Sequence, residues 1–146
     1  MVAMQFNVRR VDWGIDEEGV RKLRTNVFVD EQGVPANIEW DHFDEDAIHA
    51  VVYRDAVAIG TGRLIVDSPT SARIGRMAVN ASLRRSGIGS AILSFLEEEA
   101  RILGVSHMTL HAQNYIKHFY AHHGYTEHGA PFMEAGILHI EMRKGL

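Results

Sequence analysis

The chain contains no cysteine, which excludes disulfide bonds, thiol catalysis and zinc sites built on cysteine. No stretch approaches the roughly 18 apolar residues of a transmembrane helix, and no signal-peptide pattern opens the chain. Excess positive charge is absent too, because 15 Lys and Arg stand against 19 Asp and Glu, a formal net charge of −4. This balance disfavours bulk nucleic-acid binding. We therefore expect a cytoplasmic protein with neither nucleic-acid nor membrane partners.

The residues that are present suffice for one hydrophobic core. With 146 residues, 46% of them hydrophobic, we expect a single domain over residues 1–146. Hydrophobic periodicity predicts the order β-α-β-β-β-α-β-α-β, a mixed sheet flanked by helices. We expect Asp16 to cap the first helix, and Gly104 and Gly124 to end the other two. The predicted strands cover residues 4–11, 48–53, 57–66, 72–79, 105–112 and 137–142, and the predicted helices cover 16–32, 87–103 and 115–123.

A basic, glycine-containing turn between a strand and a helix is the most informative segment. It lies between Val79 and Ser90 and contains Arg84-Arg85-Ser86-Gly87-Ile88-Gly89. The first N–H groups of a helix have no partner within it and carry partial positive charge, and glycine lets an anion approach the backbone. The segment lacks the Lys-Ser/Thr end of a Walker A loop and the third glycine of a dinucleotide fingerprint. It predicts another kind of phosphate site, or only a tight start to a helix.

The spacing Arg84-x-x-Gly87-x-Gly89 resembles the Q/R-x-x-G-x-G/A loop of the GNAT superfamily, the N-acetyltransferases that use acetyl-CoA. Other segments are similar to the same family in order and spacing, so the resemblance covers nearly the whole chain. These segments are Gly60-Thr61-Gly62-Arg63-Leu64, residues 74–79, Gln113-Asn114, Phe119-Tyr120 and Gly124-Tyr125. Residues 27–44 resemble a bacterial GNAT subgroup whose acceptors are largely unassigned.

The resemblance implies the GNAT fold: an α/β (α+β) domain with a mixed, mainly antiparallel sheet, splayed central strands and flanking helices. The pantetheine arm of CoA would lie between the strands at residues 74–79 and 106–111, with the pyrophosphate at the loop. The implied cofactor-binding residues are Met77, Ala78 and Val79 through their backbone, then Arg84, Arg85, Ser86, Gly87, Ile88, Gly89 and Ser90, and further on Asn114 and Phe119. From the residues alone, Met77 and Val79 are equally core positions, and Asn114 is equally a helix N-cap.

The resemblance also implies a mechanism, in which an amine attacks the acetyl thioester directly in a ternary complex. Tyr120 would be the general acid that protonates the CoA thiolate, and a backbone N–H near Val79 would stabilise the oxyanion. The alternative for Tyr120 is packing between a helix and the sheet. A non-catalytic acyl-CoA-binding or sensing domain would share the loop and strands, and a phosphate-binding module unrelated to CoA would share only the loop.

No side chain stands out as the base that takes the proton from the amine. Family members often place a carboxylate on the strand before the loop, whereas this chain has Arg76 there. The alternatives are His111, Glu31, Glu39, Asp41 and Asp44. The acidic residues at 39–44 would attract a cationic small-molecule or peptide amine as the acceptor, or would form a solvated loop.

Histidine is frequent, with nine residues, and His118 and His122 have the i,i+4 spacing of two metal ligands on a helix. The metalloprotease pattern needs Glu directly after the first histidine, where this chain has Phe119. No third ligand is evident, so we expect no metal. Small members of the family often dimerise, so the resemblance makes a homodimer a further expectation.

Overall fold

The structure is a computed structural model that describes residues 6–146. Its strands are β1 (Val8–Arg10), β2 (Ile48–Arg54), β3 (Val57–Val66), β4 (Ser71–Val79), β5 (His107–Gln113), β6 (Thr126–Glu134) and β7 (Ile137–Gly145). Its α-helices are α1 (Trp13–Arg24), α2 (Ala36–Glu39), α3 (Ile88–Ile102) and α4 (Lys117–His122). A π-helix (Thr25–Glu31) continues α1, and 3-10 turns (Ala81–Leu83 and Asn114–Ile116) precede α3 and α4. None of these helices is long and apolar enough to cross a membrane.

The seven strands form one sheet in the order β1-β2-β3-β4-β5-β7-β6. Every neighbouring pair is antiparallel except β4 and β5, which are parallel. Helix α3 packs on one face over the larger apolar cluster, which includes Ile74, Leu110 and Met142. Helix α1 packs on the opposite face over a smaller cluster that includes Val20 and Leu23. The predicted mixed, mostly antiparallel α/β fold is confirmed.

Two glycines of β3 allow α3 to lie close to the sheet. A Cβ on Gly60 would lie 2.6 Å from Ile88 Cγ2, and one on Gly62 would lie 2.6 Å from Met77 Sδ. Because interiors are close-packed, a larger residue at either position would push α3 away from the strands. The close packing therefore fixes the start of α3 next to the end of β4.

Strands β4 and β5 separate partway along their length. Their pairing covers only Ser71–Ile74 and His107–Leu110, although the strands continue to Val79 and Gln113. Strand β4 stays paired with β3 across an irregularity, at which Arg76 has a left-handed φ of 49°. A non-glycine residue adopts that conformation only at a cost in free energy. The splayed central strands that the resemblance implied are present.

The first helix differs from its prediction at the N-terminal end. It begins at Trp13, and Asp12 is the N-cap, because its Oδ1 accepts a hydrogen bond from Gly14 N at 2.9 Å. Asp16, the predicted cap, lies within the helix and is fully buried. Its carboxylate accepts two hydrogen bonds from Arg9, of 2.6 and 2.7 Å, and so ties α1 to β1.

The predicted element order lacks β6, the edge strand of the sheet. Almost all of its residues are exposed, so they show no apolar alternation. Gly129 and Pro131 interrupt it, and its pairing with β7 shifts between His128 and Phe132. Elsewhere each predicted strand and helix is present with differences at its ends, and the predicted strand residues 4 and 5 lie outside the described part of the chain.

Candidate functional site

The loop before α3 leaves the start of that helix open to an anion. Gly87, the N-cap residue, has a left-handed φ of 94°, and no side chain caps the helix. Arg85 also has a positive φ, of 66°. The first turn of α3, residues 88–90, therefore presents backbone N–H groups without a side-chain acceptor at the positive end of the helix dipole. This arrangement suits a phosphate or pyrophosphate group.

Arg84 of this loop is turned toward the π-helix. Its Nη2 donates to Glu31 Oε1 at 2.8 Å, and its Nε donates to Val79 O at 3.2 Å. The hydrogen bond from Arg84 lowers the pKa of Glu31, so this carboxylate is ionised and paired at neutral pH. Both side chains remain accessible, at 39% and 40% exposure. An anion at the loop would therefore compete with Glu31 for the guanidinium.

The β4 residues that would bind pantetheine lie beyond the last β4–β5 pair. Ala78 is buried under α1, whereas Met77 and Val79 pack partly against the core on the α3 side. Within residues 6–146, Ala78 and Val79 pair with β3, Met77 lies at the irregularity of that pairing, and none of the three pairs with β5. Such an edge presents N–H and C=O groups with which an extended, amide-containing ligand can pair.

Helix α4 places two aromatic residues beside the start of α3. A Cβ on Gly89 would lie 3.3 Å from Phe119 Cζ, which shows how closely the two elements approach. Tyr120 is buried, with its ring edge-on to those of Phe119 and Tyr125 at 5.0 and 6.1 Å between centroids. Burial raises the pKa of the Tyr120 hydroxyl above that of a free phenol, so it is protonated at neutral pH.

A hydrogen bond that the sequence does not predict joins α3 to the end of α4. Ser90 Oγ lies 2.9 Å from His123 Nε2, and the His123 ring packs against Phe119 at 4.9 Å. Desolvation lowers the pKa of His123, so the ring is neutral at pH 7. The contact fixes α4, and with it the neighbouring tyrosine, against the first turn of α3.

Asn114 begins a 3-10 turn and is not a helix N-cap. The N-cap position of α4 is Ile116, and no side chain caps that helix. Beside it, Gln113 Nε2 donates to Gln32 Oε1 at 2.8 Å, and Gln32 Nε2 donates to the Tyr115 hydroxyl at 3.4 Å. Together with the ion pair of the loop, these contacts connect the end of the π-helix both to the loop after β4 and to the end of β5.

The acidic segment at residues 39–44 belongs to a charge-balanced network, the buried network, most of whose members are buried. Its members are three carboxylates and three guanidinium groups: Glu39, Asp41 and Asp44 with Arg24, Arg63 and Arg76. Arg24 is fully buried and donates to Glu39 Oε1 and to Asp44 Oδ1, each at 2.6 Å. Burial alone would raise the pKa of Asp44, but hydrogen bonds from Arg24 and the backbone lower it to about 2. Glu39 and Asp44 are thus buried and paired with arginines, whereas Asp41 is partly exposed, so acceptor attraction by this segment stays a prediction.

A second polar cluster lies on strands β5, β6 and β7. His111 Nδ1 lies 3.2 Å from Glu134 Oε1, and His111 Nε2 lies 3.9 Å from Glu141 Oε1. His139 Nε2 lies 3.6 Å from Glu134 Oε2, and the Phe132 ring is edge-on to His111 at 5.0 Å. The hydrogen bond with Glu134 raises the pKa of His111 against the effect of desolvation. The only sequence signal for the two members on β6, Phe132 and Glu134, is their i, i+2 spacing, and they lie in a strand that the sequence does not predict.

Comparison with known proteins agrees with this geometry. The acetyltransferase (GNAT) domain family model matches residues 14–146. The chain belongs to the GNAT acetyltransferase family. YjcF of Bacillus subtilis, named an uncharacterized N-acetyltransferase, is 37% identical over 84% of this chain and 87% of that protein. A crystal structure from Lactobacillus plantarum has a TM-score of 0.88 and 29% identity over 97% of this chain and 98% of that chain. An aminoglycoside 6'-N-acetyltransferase complexed with coenzyme A shares the fold, with a TM-score of 0.79 and 16% identity over 95% of this chain and 96% of that chain.

The GNAT domain brings most of the predicted cofactor residues together. The unpaired edge of β4 leads directly into the loop, and the contact between Gly89 and Phe119 adds α4 to the same region. Arg84 lies in the same region, where it donates to Val79 O and pairs with Glu31. Contact of these residues with a cofactor stays a prediction. Among residues 6–146, no group of three or more His, Asp or Glu side chains is arranged to hold a metal ion.

Proposed function

We propose that this GNAT domain is an acetyl-CoA-dependent N-acetyltransferase, which moves an acetyl group to an amine by direct attack in a ternary complex. The observation that carries the proposal is the separation of β4 from β5 after Ile74 and Leu110, beside an uncapped helix start at Gly87. The first feature suits an extended chain with amides, and the second suits a pyrophosphate. Coenzyme A contains both groups in one molecule.

The proposed cofactor contacts are mostly backbone contacts. Met77, Ala78 and Val79 would pair with the pantetheine amides, and the loop from Arg84 to Ser90 would bind the pyrophosphate. Arg84 would exchange Glu31 for a phosphate oxygen, which a guanidinium binds in the same bidentate way. Asn114 caps no helix, and so its amide is available to the pantetheine arm.

In the proposed reaction, the neutral amine attacks the thioester carbonyl, the C–N bond forms and the C–S bond breaks. A backbone N–H near Val79 would stabilise the oxyanion, and the Tyr120 hydroxyl would donate to the leaving sulfur. The raised pKa of Tyr120 keeps that hydroxyl protonated at the pH at which the thiolate forms. The acceptor would be a small-molecule or peptide amine.

One observation favours a second candidate, a non-catalytic acyl-CoA-binding domain. Tyr120 is buried among the rings of Phe119 and Tyr125, as a purely structural tyrosine would be. Such a domain would use the same loop and the same gap between strands. It would differ only in releasing no CoA when an amine is added.

Two measurements separate these functions. Thermal unfolding with acetyl-CoA, free CoA and ATP tests the cofactor, and we expect stabilisation by both forms of CoA and none by ATP. Release of free thiol from acetyl-CoA with spermidine, phenethylamine, kanamycin and a lysine-containing peptide then tests transfer. Thiol release with one of these amines, with the acetylated amine found by mass spectrometry, supports the enzyme. Binding of CoA without release would support the second candidate, and stabilisation by ATP alone would contradict both.

A further inference from the structure

We propose that His111 is the base that removes the proton from the acceptor ammonium group, that Glu134 positions its ring, and that the amine binds between His111 and Gly75. The proposal rests on the proposed transferase function. It adds to that function the identity of the base and the place of the acceptor nitrogen.

The first step of the argument is the place of His111 at the fork of the sheet. His111 directly follows Leu110, and Gly75 directly follows Ile74, the last residues at which β5 and β4 pair. Both paired residues belong to the core under α3, so alternation places His111 and Gly75 on the opposite face, where the strands part. A Cβ on Gly75 would have no atom within 4 Å. The space over Gly75 is therefore open on the face of the sheet that carries His111.

The second step is the state of the ring. An ionised carboxylate only accepts hydrogen bonds, so the 3.2 Å contact with Glu134 places the proton of neutral His111 on Nδ1. Nε2 then keeps its lone pair, and the nearest carboxylate oxygen, on Glu141, is 3.9 Å away, too far for a hydrogen bond. The ring is 39% exposed, so Nε2 is free to accept a proton from a bound ammonium group.

The third step is that the carboxylates considered as bases are already paired. Glu31 binds Arg84, and the carboxylates of the buried network bind its arginines. Arg76, at the position where a carboxylate was expected, donates to Glu39 O and to Asp41 Oδ2. Glu31 is accessible and would lose Arg84 to a bound phosphate, but it faces the loop before α3, whereas His111 lies at the fork of the sheet with an open lone pair on Nε2.

The fourth step concerns the charges that face His111. Glu141 is neutralised by Arg143, whose Nη2 lies 2.6 Å from it. Glu134 has only the imidazoles of His111 and His139 as partners on β5 and β7. On β4, Arg73 is paired with Asp67 and Arg76 with Asp41, and neither forms an ion pair with Glu134. The hydrogen bond with His111 lowers the pKa of Glu134 most, and the nearby charge of Arg76 lowers it further, so Glu134 is ionised at neutral pH.

That remaining negative charge selects the class of acceptor. An ionised Glu134 attracts a primary ammonium group, and Phe132, edge-on to His111 at 5.0 Å, offers an apolar surface to the carbon that bears it. We therefore expect a primary alkylamine that arrives as its ammonium ion. An amine that is already neutral would gain little from this arrangement.

The protons balance as follows. The ammonium gives its first proton to Nε2 of His111, which passes it to solvent. The neutral amine then attacks the thioester carbonyl, and the C–S bond breaks as the amide forms. The nitrogen loses its second proton, and the thiolate gains one to give CoA. The products are the N-acetylated amine, CoA and one proton.

The first test compares His111→Gln with His107→Gln, which is on the same strand and face but in the paired part of β5. The probes are the panel alkylamine with the highest kcat/KM and methoxyamine, which is neutral at pH 7. Since general base catalysis contributes about 10²–10⁴-fold, we expect His111→Gln to lower kcat/KM at least about 100-fold for the alkylamine and less than about 10-fold for methoxyamine. His107→Gln should leave both values unchanged, and acetyl-CoA affinity should be equal in all three proteins.

The second test examines the pH dependence without relying on the acceptor. The carboxylate of Glu134 raises the pKa of His111, so Glu134→Gln should lower that pKa in an NMR titration of the ring. Glu127→Gln, on the same strand and paired with Lys117, should leave it unchanged. In Glu134→Gln, the acid limb of the plot of kcat/KM against pH should move to lower pH. The plateau of that plot should also be lower, because an amide can donate to Nδ1 and favour the wrong tautomer.

The outcomes separate this proposal from the proposed function. If the wild-type protein acetylates no amine in the panel, the transferase function fails. If it does acetylate one, and His111→Gln matches His107→Gln or lowers both probes equally, the function stands and His111 is not the base. A His111 pKa that does not respond to Glu134→Gln would remove the positioning role of Glu134.

Discussion

On the α3 side of the gap between β4 and β5, most of the proposed cofactor residues lie in one segment, from Met77 to Ser90, and contribute backbone groups. Asn114 and Phe119 lie further along the chain. On the α1 side, the proposed acceptor residues come from separate strands: the side chains of His111 on β5 and Glu134 on β6, and the open space over Gly75 on β4. A site made from the backbone of one segment leaves a glycine and arginine pattern in the sequence. A site made from residues on three strands leaves none, because only the sheet order brings them together.

The two sides also differ in how their charged and polar groups are arranged. The α3 side presents unpaired N–H groups at a helix start, which are ready for an anion. The α1 side pairs three carboxylates with three guanidinium groups, four of them buried, whereas the cluster around Glu134 is accessible. We therefore expect the network to stabilise the α1 side, and residues of β5 and β6 to recognise the acceptor. The following variants test that division.

The largest effect should come from Arg24→Met, which removes a fully buried charge, leaves Glu39 without its ion-pair partner and leaves Asp44 with Arg63 alone. Breaking a buried ion pair from one side costs about 3–5 kcal/mol. We expect a loss of this size in the free energy of unfolding, measured with urea. The matched control is Arg21→Met, one turn earlier on α1, where the exposed pair with Glu17 is worth about 1 kcal/mol or less. Equal losses in the two variants would show that the network does not stabilise the α1 side.

The same division explains how far the sequence predicts this protein. Strands β2, β3 and β4 carry apolar runs, and the loop at Gly87 has a distinctive pattern, so the sheet and the α3 side follow from local signals. Strand β6 has almost no buried residue, and Gly129 and Pro131 interrupt it, so it gives no periodic signal. Glu134 lies on that strand. The pairing of Arg24 with Asp44, 20 residues away, likewise depends on tertiary contacts that sequence spacing does not reveal.

A large effect on the α3 side should come from Tyr120→Phe, which removes one hydroxyl and keeps the buried ring. If Tyr120 assists the leaving thiolate, kcat should fall near the lower end of the roughly 10²–10⁴-fold range of general acid catalysis, with little change in acetyl-CoA affinity. A thiol with a pKa near 8.5 leaves partly unassisted, so the loss should shrink as pH rises above that value. The measurement is kcat against pH at saturating amine for both proteins. Superimposable profiles would make Tyr120 a structural residue.

A smaller effect concerns acid stability on the α1 side. Hydrogen bonds in the network lower the pKa of Asp44 to about 2 against burial, below the 3.8 of the free group. A carboxyl group whose folded pKa is depressed stabilises the fold above its unfolded pKa and loses that contribution as pH falls through its folded pKa. We expect the free energy of unfolding to drop by about 2 kcal/mol between pH 4 and pH 2 on account of this group.

The check on this pH effect is urea unfolding at several pH values. Asp44→Asn should show a shallower decline below pH 4 than the wild type. Asp67→Asn, which removes a half-exposed carboxylate paired with Arg73, should decline as the wild type does. A wild-type decline that Asp44→Asn leaves unaltered would contradict the assigned pKa.

The smallest effect should come from Gly89→Val, which tests whether the helix start on the α3 side receives the pyrophosphate. Gly89 is the second residue of α3, and a Cβ there lies 3.3 Å from Phe119, so a valine side chain would occupy the approach to the first N–H groups. Gly14 is the second residue of α1, and its Cβ would also lie 3.3 Å from a neighbour, Asp12 Oδ1. Gly14→Val therefore repeats the change in helix propensity and crowding away from the cofactor. Because a hydrogen bond to a charged group is worth about 1.5–3 kcal/mol, losing one should weaken CoA binding at least about tenfold in Gly89→Val and not in Gly14→Val. Calorimetry on both folded variants measures this difference. Equal CoA affinities would show that the helix start is not part of the cofactor site. That result would not bear on the proposed acceptor residues on the α1 side.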